Sequence, residues 1–83
     1  MSLYQIRSRN GDFDVIKFDE DLNHQNTYQL SYSKSRIVCN CPAGYGKTCR
    51  HRNMLPVFEL ERAVDSGRFY DYENKKWMDR LDT

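Results

Sequence analysis

A chain of 83 residues makes one small domain, and at that size only about 60% of the surface exposed by the unfolded chain is buried, so a staple beyond the hydrophobic core is expected. Hydrophobic residues at 39% and aromatics at 13% exclude a wholly disordered tail. No apolar run approaches the ~18 to 20 residues that span a bilayer, and Tyr4-Gln5-Ile6-Arg7-Ser8-Arg9 is neither a signal h-region nor a transit peptide, so a cytoplasmic protein is expected. The formal net charge of +1 conceals a division: the acid-free stretch Leu22 to Phe58 holds Lys34, Arg36, Lys47, Arg50 and Arg52 and carries +5, while the remainder carries −4.

The first element in chain order is a hairpin. Asn10-Gly11 is the strongest two-residue signal for a type I′ turn, and alternating segments flank it. Pairing Arg9 with Asp12 sets Arg7 against Asp14 and gathers Tyr4, Ile6, Phe13 and Val15 on one face. Asp19 to Asn26 is polar and reads as a connecting loop that contains His24. Thr27 to Cys41 predicts a second hairpin turning at Lys34-Ser35. A two-residue loop there sets Tyr32 against Ile37, Leu30 against Cys39 and Tyr28 against Cys41, which puts both cysteines on one face.

Beyond the cysteines, Met54, Leu55, Val57, Phe58, Leu60, Ala63 and Val64 predict a helix with an apolar stripe, stopped at Ser66-Gly67. Proline is tolerated in a first turn, so Pro56 argues for Asn53 as the N-cap. The aromatic segment from Arg68 to Met78 reads either as a strand pair turning at Glu73-Asn74 or as a strand followed by a short helix from Glu73, with Trp77 and Leu81 on one face. The fold class expected is α+β: one domain over residues 1–83, with antiparallel hairpins and one main helix around a structural zinc site.

The chemistry is concentrated in the thirteen residues from Cys39 to His51, which hold all three cysteines and one of the two histidines. An odd number of thiols in a chain with no export signal argues against a disulfide framework, whereas three thiolates and one imidazole complete a tetrahedral zinc shell. The ligands read as Cys39, Cys41, Cys49 and His51, with Pro42, Gly44 and Gly46 in the connection and Tyr45 and Thr48 as candidates to pack around the shell. Residues i and i+2 of a helix lie roughly 200° apart, so Cys49 must precede the helix if it and His51 face one ion. A closed four-ligand shell leaves no position for water, so the metal is expected to be structural.

The string Cys39-x-Cys41, seven residues, Cys49-x-His51, preceded by an alternating strand segment and followed by an apolar helix, resembles the SWIM-type zinc finger over residues 27–58. The resemblance implies a β-hairpin and helix around one zinc, with Cys39, Cys41, Cys49 and His51 as ligands, in a module that contacts DNA or protein. The pattern departs from the family at Pro56, which interrupts the helix that usually runs on from the histidine.

The leading expectation is a non-enzymatic module whose basic face contacts nucleic acid, DNA or RNA, with Arg36, Lys47, Arg50 and Arg52 at phosphates and Tyr45 stacking on a base. The alternative is a protein-interaction adaptor in which zinc only holds the fold and the partner surface is aromatic, for example Phe69, Tyr70, Tyr72 and Trp77. A Cys49 nucleophile with His51 or His24 as base would leave the other cysteines without a role. An iron–sulfur centre of the CDGSH type also uses three cysteines and one histidine, but its histidine follows at a longer spacing, with an Asp-Gly step absent here.

Overall fold

In the computed structural model, which describes residues 2–33, 36–41 and 49–78, six antiparallel strands and one helix form an α+β domain. The strands are β1 (Leu3–Arg9), β2 (Asp12–Phe18), β3 (His24–Ser33), β4 (Arg36–Cys39), β5 (Phe69–Asp71) and β6 (Lys76–Met78); the helix is α1 (Arg50–Leu60). They form one sheet in the order β4-β3-β2-β1-β5-β6.

The first hairpin has the expected register, with Arg9 opposite Asp12, Arg7 opposite Asp14 and Ile6 opposite Val15. Asn10 (φ 49°) and Gly11 (φ 90°) both adopt the positive φ that a type I′ turn demands. The ion pair at this end is diagonal, Arg9 Nε to Asp14 Oδ2 at 3.4 Å. The connecting loop is shorter than expected. Asp19 Oδ1 accepts the backbone N–H groups of Asp21 and Asn23, both at 2.9 Å, and closes a tight turn. β3 therefore begins at His24, opposite Phe18.

The second hairpin also has the expected register, Tyr32 opposite Ile37 and Leu30 opposite Cys39; Lys34 and Ser35, where the turn was expected, lie outside the described residues. The expected pairing of Tyr28 with Cys41 is not made, because β4 ends at Cys39. Asn40 is the reason. Its N–H donates to the Gln29 carbonyl at 3.1 Å, but its side-chain Oδ1 accepts the Gln29 N–H at 2.9 Å in place of its own carbonyl. The ladder is capped there, and the chain leaves the sheet carrying Cys41.

The helix begins four residues earlier than the proline rule implies. Cys49 (φ −122°, ψ 160°) is the N-cap, and its carbonyl accepts the Asn53 N–H at 3.2 Å. Pro56 is thus inside the helix and denies the Arg52 carbonyl its i+4 donor. The proline is exposed, while Met54, Leu55 and Phe58 around it are fully buried, so core burial outweighs the missing bond. Leu60 does not belong to the buried stripe and is 82% exposed. The helix also stops before Ser66-Gly67. Arg62 (φ 55°) takes the left-handed position, donating to the Glu59 carbonyl while Ala63 donates to that of Phe58, which is a Schellman closure.

Of the two readings of the C-terminal segment, the strand pair is the one adopted: Tyr70 lies opposite Trp77 and Asp71 opposite Lys76. Lys76 to Met78 is strand, which rules out the helix from Glu73. β5 pairs with β1, Leu3 opposite Asp71 and Tyr4 opposite Tyr70. The core lies between α1 and one sheet face, where Tyr4, Ile6, Val15 and Leu30 meet Met54, Leu55 and Phe58. Cys39, Cys41 and Cys49 belong to the same cluster, so the candidate ligands form one wall of the core.

Candidate metal centre

Three elements deliver four ligand atoms to one point. Cys39 closes β4, Cys41 follows the Asn40 cap, Cys49 is the extended residue before α1, and His51 is the second helical residue. All four are buried, and Sγ of each cysteine and one ring nitrogen of His51 lie within 4.8 Å of one another. The three sulfurs are free thiols. The turn from extended Cys49 into α1 resolves the spacing problem, because the two ligands no longer sit 200° apart on one helix.

The atom of His51 that faces the sulfurs is Nδ1, 3.6 Å from Cys39 Sγ. Two tyrosines frame the imidazole: Tyr28 of β3 stacks on it with ring centroids 3.9 Å apart and planes at 24°, and Tyr4 of β1 meets it edge-on at 6.0 Å. Tyr45 and Thr48, which the sequence suggested would pack around the shell, lie outside the described residues. A signal for Tyr28 was present in the hairpin register, which placed it on the same sheet face as the cysteines.

Electrostatics suit a cation. Burial, with the neighbouring cysteines adding to it, pushes the Cys39 thiol up to about 12. Burial and the charges of Arg50 and Lys17 push His51 down to about 4, so its imidazole is neutral near pH 7, the form that ligates. Crowding thiols into a low-dielectric pocket favours the protonated state only while no positive charge is present, and a bound divalent ion inverts that preference. The same ion would serve α1. The helix has no side-chain cap and no acidic residue in its first turn, so thiolates at its N-terminus supply the negative charge that its dipole favours.

The residues expected to meet nucleic acid are distributed differently. Tyr45 and Lys47 lie outside the described residues. Arg36 is the first residue of β4, while Arg50 and Arg52 flank buried His51 in the first turn of α1 and point roughly 200° apart. Arg50 is engaged within the fold. The Tyr4 side chain beside it holds its pKa above the ordinary value, and its guanidinium lies 5.2 Å from the ring centroid of Tyr72. The aromatic surface expected of an adaptor is mostly interior: Phe69 and Tyr70 are buried, and Trp77 packs edge-on to Phe58 at 4.8 Å.

No helix among the described residues is long and apolar enough to cross a membrane. Comparison with family models, curated proteins and solved structures finds no match to this chain. The Cys₃His cluster, which is close enough to hold a metal ion, therefore stands on its own geometry, and the resemblance to a SWIM-type finger stands on the Cys/His motif alone.

Proposed function

We propose that this chain is a zinc-stapled, non-enzymatic module of SWIM type whose acid-free segment contacts nucleic acid. The observation that carries the zinc reading is the convergence of four buried Cys₃His donors within 4.8 Å. Bond lengths of about 2.3 Å to sulfur and about 2.0–2.1 Å to nitrogen at a tetrahedral angle put the two donors about 3.6 Å apart. The Cys39 Sγ to His51 Nδ1 separation is 3.6 Å. Cys39, Cys41, Cys49 and His51 would hold the ion, whose chemistry here is to neutralise and cross-link thiolates. Four protein donors fill the tetrahedral shell, which supports a structural rather than a catalytic role.

The nucleic-acid reading is supported by the separation of +5 from −4 along the chain. Lys34, Arg36, Lys47 and Arg52 of the acid-free segment are the candidate phosphate contacts, and Arg50 lies over the Tyr72 ring. Four contacts give a log–log salt slope of about −3 to −4, or a loss of about 60- to 250-fold in affinity between ~50 and 200 mM salt. Fluorescence anisotropy with single- and double-stranded DNA and RNA measures it. Joint substitution Arg36→Ala and Lys47→Ala is expected to reduce the slope by about 2 with zinc content unchanged. Arg50→Ala is expected to leave the slope alone. Absence of salt-sensitive binding to any of these nucleic acids would remove this reading in favour of a protein-interaction adaptor.

A further inference from the structure

We propose that Tyr28 is a positioning residue for the metal: its ring, stacked on His51, sets the imidazole plane so that Nδ1 rather than Nε2 is the ligand atom. The inference rests on the zinc reading above and adds to it the ligating atom and the residue that selects it.

A histidine can offer either ring nitrogen, and the choice is usually set by a hydrogen bond from the far nitrogen to a carboxylate or carbonyl. Among the described residues, the hydrogen bond that His51 makes is the one between Nδ1 and Cys39 Sγ, and none holds Nε2. Among the described residues, orientation then comes from packing. His51 sits in the first turn of α1 with its ring against the sheet, stacked on Tyr28 at 3.9 Å and 24° and met by the edge of Tyr4 at 6.0 Å and 66°. A stacked neighbour fixes the ring plane, and the edge of the second tyrosine limits sliding within it. With both constraints in force, the nitrogen adjacent to Cγ faces the sulfurs. Tyr28 is two residues from Leu30, which lies opposite Cys39, so the strand that carries the stacking ring also sets the register of the first ligand.

Cobalt(II) and zinc titrations of the full chain test this. Wild-type protein is expected to give the thiolate-to-cobalt and d–d absorption of a tetrahedral S₃N centre. Long-range ¹H–¹⁵N correlation on the zinc form is expected to show His51 with metal on Nδ1 and a proton on Nε2. Tyr28→Leu is expected to lower zinc affinity by about 10- to 100-fold, the usual effect of losing an orienting partner, and to shift the d–d band. Tyr28→Phe, which keeps the ring, is expected to stay within about threefold of wild type with an unchanged spectrum. Ligation through Nε2, or a Tyr28→Leu protein with wild-type affinity and cobalt spectrum, would overturn the role of Tyr28 while leaving the zinc centre in place. A wild-type chain that takes up neither ion overturns the zinc reading and this inference with it. Should Tyr28→Leu fail to fold at saturating zinc, the zinc-loaded wild type decides: cross-relaxation between the Tyr28 and His51 ring protons together with Nδ1 ligation supports the proposal, and absence of either contradicts it.

Discussion

Cys39 has its thiol pushed up to about 12, so any metal that binds must displace its proton at every pH in working range. His51, pushed down to about 4, adds no proton competition until the medium is far more acidic. Apparent zinc affinity is therefore expected to fall at least tenfold per pH unit from 8 to 6, measured against a chromophoric chelator; a flat profile would mean that Cys39 is not a ligand. Asp71 carries a second pH dependence. Burial raises its pKa, but the bonds its carboxylate accepts from the Asn74 side chain and from the Asn74 and Glu73 N–H groups outweigh burial and hold it below the ordinary value. A depressed carboxylate contributes fully above its unfolded value near 3.8 and loses that contribution as pH falls through its lower folded value. Asp71→Ala is expected to destabilise the β5–β6 turn by about 1–2 kcal/mol at neutral pH, read by chemical denaturation of the zinc-loaded protein, and to remove that acid-range dependence.

At the scale of elements, what was legible in the sequence is what local chemistry dictates. Asn10-Gly11 forced the first hairpin because only two positive-φ residues close a two-residue I′ turn, and the ligands stood out because their spacing left them few other roles. The helix start differs from the proline rule for a physical reason. The proline rule weighs one missing hydrogen bond, whereas the helix that starts at Arg50 buries His51, Met54, Leu55 and Phe58. Pro56→Ala at this exposed position is expected to restore the bond to the Arg52 carbonyl and stabilise the chain by about 1–3 kcal/mol. Arg62→Gly is expected to add about 0.5–1 kcal/mol by relieving a left-handed residue in the Schellman closure. Denaturant midpoints of zinc-loaded protein check both, and a loss of stability in either variant would contradict the geometry assigned to it.

Across the whole molecule, the long-range pairings were the least legible. That β5 lies beside β1, and that Tyr4 joins Tyr28 at His51, depends on strands distant in sequence and leaves no local pattern beyond the hairpin register that places Tyr28 on the face of the cysteines. What unites them is a core with the three cysteines as one wall and His51 buried beside it, so the candidate metal centre and the hydrophobic cluster are expected to stabilise one another. In a chain this short, an ion worth ~10 kcal/mol or more in small zinc peptides would rival the entire net stability of the domain. The most direct test is elemental analysis of the chain, wild type and Cys41→Ser, prepared without added metal. The expected result is one zinc per wild-type chain and none in Cys41→Ser; a wild-type chain free of zinc, or a Cys41→Ser chain that keeps it, would contradict the assignment of this cluster as the structural centre of the fold.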